Sequence, residues 1–146
     1  MRILTWSLVI LAASTAGFLG TLHAAEQAPT GHDTLKDCSL ALDMAQEGYV
    51  SNLLQKGKPL PTAAQQNRAT QCFSYIVGFK DALYVSQLYQ EKNGLPSVVC
   101  LPKNNLNNGE AVHIVLRYLQ DNSRLLDQPQ SALAFNAFYY AFSCRK

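Results

Sequence analysis

The sequence carries little net charge and lacks the basic runs that mark a nucleic-acid surface. Twelve lysines and arginines stand against ten acidic residues, which gives a formal net charge of +2 over 146 residues. Because so weak a field attracts a polyanion poorly, we expect no nucleic-acid partner. With only eight glycines and six prolines the chain is neither collagen-like nor of low complexity, and its 48% of apolar residues predicts one packed domain.

Motifs that carry catalysis are also missing. The sequence contains no glycine-rich phosphate loop, no His-Glu-x-x-His pair and no Gly-x-Ser-x-Gly turn. Its four cysteines include no Cys-x-x-Cys pair, so neither a metal site nor a redox pair is indicated. A cysteine nucleophile assisted by His32 or His113 is the enzymatic alternative, but it would leave an odd cysteine elsewhere. We therefore predict no catalytic residue, no metal and no cofactor.

The N-terminus has the pattern of an export signal. Arg2 is followed by an uncharged, largely apolar stretch over residues 3–22 and then by small residues at Ala24 and Ala25. This pattern is typical of a secretory signal peptide. A membrane anchor is the alternative, since about 20 residues can just span a bilayer. We predict a cleaved signal peptide over residues 1–24 and a domain over residues 25–146 that lies outside the cytosol, without stable membrane insertion.

In an oxidising compartment the four cysteines are expected to form two disulfides. They are Cys38, Cys72, Cys100 and Cys144. A helix from residue 72 to about residue 90 would be roughly 27 Å long, which places the third cysteine beyond its far end and disfavours a 72–100 bond. Two pairings stay open, 38–72 with 100–144 and 38–100 with 72–144. We predict the first.

Hydrophobic periodicity predicts helices along most of the chain and no sheet. The expected helices are residues 34–54, opened by a capping box at Thr34 and Asp37; a long helix from Thr62 to a stop at Asn93-Gly94; a third from Asn107 to about 121; and a last from Pro129 to about Cys144. Residues 97–102 are expected to be extended. The fold class predicted is all-α, a compact bundle of four to five helices with two intramolecular disulfides.

Two features of these helices suggest packing or binding roles. Gly78 lies in the middle of the second helix, where glycine costs up to about 1 kcal/mol relative to alanine, so we expect another helix to approach closely there. The last helix carries five aromatic residues that wrap more than one of its faces. Two interpretations stay open, core packing alone and core packing together with a dimer contact. The five residues are Phe135, Phe138, Tyr139, Tyr140 and Phe142.

The order and spacing of several motifs resemble the Rap/Tai immunity proteins of bacteria. The motifs are Cys72-Phe-Ser-Tyr-Ile-Val-Gly78-Phe-Lys-Asp81-Ala, Val-Cys100-Leu-Pro, Val115-Leu-Arg-Tyr-Leu and a terminal Ala-Phe-Ser-Cys144. The resemblance extends from Cys38 to Cys144. The chain departs from the family pattern at two places. It has Asn122-Ser123 where the family often has His-Pro, and Ser143 where the family has a proline before the last cysteine. The interval from Cys38 to Cys72 is also longer than the family pattern leads us to expect.

The resemblance implies a periplasmic immunity protein. Such a protein binds and occludes the active site of a type VI secretion effector, a papain-like cysteine amidase of peptidoglycan, and so prevents self and sibling intoxication. Family members are typically homodimers. The resemblance also implies that the four cysteines form disulfides, that Gly78 contacts a helix, and that Asp81 accepts a hydrogen bond. It adds no enzymatic activity.

The segment between the second and third predicted helices is the candidate contact surface. It is polar, rich in turn-forming residues and anchored at Cys100, and a rigid scaffold presents a binding loop in this way. The predicted partner-binding residues are Glu91, Lys92, Asn93, Gly94, Leu95, Lys103, Asn104, Asn105, Leu106, Asn107 and Asn108. An alternative function is an exported carrier of a small apolar ligand, with Phe79 and the last helix's aromatics lining a closed cavity.

Overall fold

The computed structural model describes residues 28–103 and 106–144, and within them it shows five α-helices. They are α1 (Gly31–Met44), α2 (Tyr49–Gln55), α3 (Ala63–Lys92), α4 (Asn108–Asp121) and α5 (Gln130–Phe142), with a 3₁₀ turn at Ser123–Leu125. These residues contain no strand, only isolated bridges that join Thr30 to Pro129 and Val99 to Ser143. The all-α prediction is confirmed. The predicted signal peptide, and Asn104 and Asn105, lie outside the described residues.

The core lies between α1, α3, α4 and α5. Helix α1 packs along α3, and α4 contacts α1, α3 and α5. The side chains that fill the centre are fully or almost fully buried: Cys38, Ile76, Val112, Val115, Leu119, Leu133 and Phe138. They come from all four helices, so each helix contributes an apolar stripe to a single core. Helix α2 contributes no buried residue.

Two disulfides fix this arrangement, and they confirm the predicted pairing. Cys38–Cys72 joins α1 to α3 with a Cα–Cα distance of 5.3 Å, and Cys100–Cys144 joins the α3–α4 connection to the end of α5 with a distance of 5.1 Å. Because all four cysteines are paired, the alternative of a cysteine nucleophile is wrong.

The predicted helix over residues 34–54 is two helices, and its start is also different. The backbone N–H and the hydroxyl of Thr30 both donate to the Asp33 carboxylate at 2.9 Å, and the cap of α1 lies four residues earlier than predicted. These hydrogen bonds hold the pKa of Asp33 below its ordinary value of 3.8. The break after α1 comes at Gly48, whose φ of 74° favours glycine and which the periodicity analysis overlooked.

The other helix ends follow the sequence signals. Thr62 and Gln65 form the expected capping box at the start of α3. The Asn107 side chain accepts from the backbone N–H of Glu110 at 2.8 Å and caps α4. At the end of α3, Gly94 has a φ of 66°, as a helix stop requires.

Gly78 corrects a prediction. In the described part of the chain, a Cβ placed on Gly78 would meet no atom within 4 Å. The predicted contact with another helix of this fold is therefore wrong. The physical reason is the helical phase, since Gly78 lies on the side of α3 opposite to the buried Cys72 and Ile76.

Candidate partner-binding surface

The candidate surface is built on the connection between α3 and α4, residues 93–107. This connection leaves the end of α3 and runs back along the same helix. Its Leu101 is held by Gln87 and its Leu106 by Lys80, two positions seven residues apart on α3, which corresponds to about 10 Å. The connection therefore lies on a rigid helix and is attached to it at two points.

The first attachment is the side chain of Gln87, which is only 4% exposed. Its Oε1 accepts from the backbone N–H of Leu101 at 2.7 Å, and its Nε2 donates to the Leu101 carbonyl at 3.5 Å and to Glu91 at 2.9 Å. One amide thus satisfies both backbone groups of Leu101, as a strand partner would. Buried backbone groups need such partners, so Gln87 fixes the connection at this residue.

The second attachment is Lys80, a lysine that is only 6% exposed. Its Nζ donates to the Leu106 carbonyl at 3.3 Å and to the Asn108 side chain at 2.8 Å, and lies 3.1 Å from the Asp81 carboxylate. Three oxygen partners satisfy the three donors of the ammonium group. The oxygen of Asp81 thus has a partner on its own helix, while its side chain stays 63% exposed.

A third constraint comes from the end of α5. The backbone N–H of Cys100 donates to the Phe142 carbonyl at 2.7 Å, and the Cys144 N–H donates to the Val98 carbonyl at 3.3 Å, beside the disulfide. Leu101 and Leu106 are buried at 4% and 5% exposure. The short stretch between these two leucines is therefore bounded on both sides by residues fixed in the core.

The structure places the predicted contact residues in two groups along α3. Glu91 and Lys92 form the last turn of the helix, Asn93 and Gly94 end it, and Leu95 is 50% exposed. The second group contains the exposed Lys103 and ends at Asn108, whose side chain contacts Lys80. Since residues 80 and 91 are eleven positions apart, the two groups follow one side of α3 over about 17 Å.

Three of the predicted contact residues hold the connection in place. Leu106 belongs to the hydrophobic core, so the prediction that its side chain contacts a partner is wrong. Asn107 caps α4, and Asn108 accepts from Lys80. The sequence around Leu106 is polar and therefore gave no sign that this residue is buried. Its burial depends on where α3 and α4 meet in the fold.

Lys80, Gln87 and Val98 are functional residues of this surface that were not predicted from the sequence. The seven-residue spacing of Lys80 and Gln87 places them on one helical face. Two long polar side chains at that spacing beside apolar core positions are the signal that could have identified them. Val98 is 56% exposed between the two predicted groups and extends the apolar part of the surface begun by Leu95.

The cavities give no support to the alternative of an apolar-ligand carrier. The cavities around the described residues include four of about 270–640 Å³, and none of these four is lined by Phe79, Phe135, Phe138 or Tyr139. The rings of Phe79 and Phe138 stack with centroids 6.2 Å apart, and Phe138 is fully buried. These aromatics therefore fill the space that a ligand would need.

The aromatic residues of α5 divide between the core and the surface. Phe138 is buried, whereas Tyr139 and Tyr140 are 46% and 83% exposed. Tyr140 borders a groove of about 640 Å³ between α4 and α5. Over residues 28–103 and 106–144, no three His, Cys, Asp or Glu side chains are grouped to hold a metal ion, and no helix has the length and hydropathy of a membrane span.

Comparison with known protein families matches residues 30–144 to the Rap1a immunity proteins. The chain belongs to the Rap1a immunity protein family. The match begins at the capping residue of α1 and ends at the last cysteine, so it includes both disulfides and the whole α3–α4 connection. No curated protein and no solved structure matches the chain.

Membership in the Rap1a family defines the function at a coarse level. The chain is an immunity protein, which binds a cognate secreted effector. Its two disulfides are consistent with an exported protein, since such bonds persist outside the reducing cytosol. The resemblance inferred from the motif spacing is confirmed.

Proposed function

We propose that this Rap1a protein is a periplasmic inhibitor of a peptidoglycan amidase delivered by type VI secretion. It binds the amidase over its active-site cleft and so protects the producing cell and its siblings. The signal peptide over residues 1–24 directs export and is cleaved. Family membership and the two disulfides support this proposal.

The attachment of the α3–α4 connection to α3 is the observation that carries the mechanism. Gln87, Lys80 and the Cys100–Cys144 disulfide fix the connection at Leu101, Leu106 and Cys100 before any partner arrives. Binding by residues that are already held in place costs less conformational entropy and favours slow dissociation. The exposed side chains of Leu95, Val98 and Lys103 are the contact residues we propose, and inhibition follows from exclusion of the peptidoglycan stem.

We also propose that the protein acts as a homodimer. The described surface exposes several large apolar side chains outside the connection, among them Val85, Tyr89 and Tyr139. Exposed apolar surface of this kind commonly marks a protein interface.

The function is tested by survival. Cells that export a candidate amidase to the periplasm should lyse, and co-expression of the full chain with its signal peptide should restore growth. The chain without residues 2–24 should stay in the cytosol and fail to protect. Loss of protection against every amidase encoded beside the gene would contradict the proposal.

The contact residues are tested by charge reversal and by an apolar-to-acidic change. Lys103→Glu and Leu95→Asp should each weaken inhibition of the purified amidase by about tenfold or more, because a contact at the interface becomes unfavourable. Lys36→Glu, an exposed change on α1, serves as the control. Circular dichroism should show the same melting temperature for all three variants. Unchanged inhibition by both test variants would place the contact elsewhere.

A further inference from the structure

A cavity of about 380 Å³ lies where α1, α3 and the start of α5 meet. Asp33 and Asp37 line it from α1, Arg68 and Tyr75 from α3, and Gln130 from α5. Among the described residues, its lining includes none from the α3–α4 connection. Small-molecule sites in proteins have volumes of roughly 300–1,000 Å³, so this space is large enough for a small ligand. We call it the α1–α3–α5 cavity.

Gln130 is a buried amide with an acceptor that the fold does not use. The residue is 8% exposed, and its Nε2 donates only to the sulfur of Cys72, at 3.6 Å. Its Oε1 accepts no hydrogen bond from any residue that the structure describes, and the residue borders the cavity. Buried carbonyl oxygens in proteins normally have a donor. The cavity is therefore the place from which a donor can reach this oxygen.

The carboxylate of Asp37 is a second acceptor with spare capacity. Its side chain is 13% exposed, and its Oδ1 lies 3.5 Å from Nε of Arg68, whose side chain is 47% exposed. Charge-assisted N–H to oxygen bonds are shorter, about 2.7–2.9 Å, so this ion pair is a loose one. A carboxylate can accept about four hydrogen bonds. A donor in the cavity would thus find Asp37 largely free.

Asp33 gives the cavity an excess of negative charge. Asp33 and Asp37 are four residues apart and lie on one face of α1. Two hydrogen bonds from Thr30 hold the pKa of Asp33 below its ordinary value of 3.8, so this carboxyl is ionised at neutral pH. Two carboxylates against the single guanidinium of Arg68 leave one negative charge. A ligand that is cationic and carries N–H donors therefore matches the cavity.

The helix ends beside the cavity do not favour an anion instead. Helices α1 and α5 both begin there, and a helix N-terminus binds anions through N–H groups that have no other partner. Here the N–H groups of Gly31, His32 and Gln130 already donate to backbone carbonyls at 2.9–3.2 Å. An anion would meet Arg68 alone and would be repelled by the two carboxylates.

We propose that the α1–α3–α5 cavity binds an aliphatic primary ammonium group, carried by a free alkylamine or by a lysine side chain of another polypeptide. The ammonium donates to Oε1 of Gln130 and to the Asp37 carboxylate. The aromatic ring of Tyr75 lines the same cavity and attracts a cation near its face. The alkyl stem of the ligand lies against Pro29 and the tyrosine ring. This binding is independent of the proposed amidase inhibition.

The test is isothermal titration calorimetry of the full chain purified after export, with cadaverine as the probe at low ionic strength. We expect a dissociation constant of about 1 mM or lower. The uncharged diol of the same chain length, and glutarate, which carries the opposite charge, should each bind at least tenfold more weakly. No binding of cadaverine, or tighter binding of glutarate, would overturn the proposal.

A second probe distinguishes the two sources of the ammonium group. The methylamide of Nα-acetyl-L-lysine carries the same ammonium on a peptide backbone. Affinity similar to that of cadaverine would identify a lysine side chain as the ligand that the cavity accepts. Binding of cadaverine alone would identify a free alkylamine.

Two variants of similar size assign the binding to this cavity. Asp37→Asn removes the charge, and Gln130→Met removes the amide acceptor, so each should raise the dissociation constant of cadaverine about tenfold. Asp43→Asn, at an exposed carboxylate of α1 outside this cavity, is the control and should leave it unchanged. Melting temperatures verify that all three proteins are folded. Unchanged affinity in both folded test variants would overturn the proposal, and no outcome depends on the amidase.

Discussion

At the scale of single residues, buried polar side chains decide how the candidate surface is held. Lys80 and Gln87 stand on the face of α3 that also carries Ile76 and packs into the core. Each satisfies backbone or side-chain groups of the connection, and a buried polar group without a partner would cost free energy. Their role is to position the connection, whereas Leu95, Val98 and Lys103 are proposed to contact the partner.

Replacing Lys80 tests this positioning role. Lys80→Met keeps an unbranched apolar stem but leaves the Leu106 carbonyl and the Asn108 side chain without their donor. We expect the free energy of unfolding in urea to fall by about 1–3 kcal/mol and inhibition of the amidase to weaken by about tenfold. Lys36→Met, at an exposed position, should change neither quantity. Full inhibition by a folded Lys80→Met protein would contradict the role.

At the scale of elements, local capping sets where α1, α3 and α4 begin, and a glycine with positive φ follows the end of α3. Helix α3 starts at the Thr62 capping box and stops before Gly94, both visible in the sequence. For α1 the sequence pattern predicted a capping box at Thr34 and Asp37. The structure forms the box at Thr30 and Asp33 instead, and Thr34 is buried against the core and donates to the Thr30 carbonyl.

The cap of α3 is open to a direct measurement. Thr62→Ala removes the hydroxyl that accepts from the Gln65 N–H at 3.3 Å and should lower the free energy of unfolding by about 1 kcal/mol, or the melting temperature by about 3–5 °C. Thr70→Ala removes an exposed hydroxyl from the middle of the same helix and should have little effect. Equal melting temperatures for the two variants would show that this cap contributes nothing.

At the scale of the whole molecule, the two disulfides have different tasks. Cys38–Cys72 closes 34 residues and joins two helices of the core, whereas Cys100–Cys144 closes 44 residues and holds the α3–α4 connection against the end of α5. In the chain-entropy description each stabilises the fold by about 4 kcal/mol, because loop length enters only through a logarithm.

Removing the disulfides one at a time should therefore separate stability from inhibition. The double variants Cys38→Ala with Cys72→Ala, and Cys100→Ala with Cys144→Ala, should lose similar free energies of unfolding. Below their melting temperatures, we expect the first to inhibit the amidase normally and the second to inhibit it at least tenfold more weakly. Denaturant unfolding and inhibition assays measure the two effects, and equal inhibition by both would show that the Cys100–Cys144 bond does not position the connection.

The sequence predicted the helices better than the surface. Periodicity and caps located α3, α4 and α5 because those signals are local, and a helix length excluded one of the three disulfide pairings. The break at Gly48 was missed, since a glycine between two helical stretches also fits a continuous helix. Leu106 was placed at the surface and Lys80 was overlooked, because the neighbours of both residues lie 26 positions away in the chain.

The sequence by itself determined the all-α class, most helix boundaries and the family, because capping, periodicity and motif spacing are properties of neighbouring residues. Only the tertiary structure decided which polar side chains hold the α3–α4 connection and which side of α3 is left uncovered. Both depend on the rotation of each helix about its own axis when it packs. That rotation is set by the whole core and cannot be inferred from any one segment.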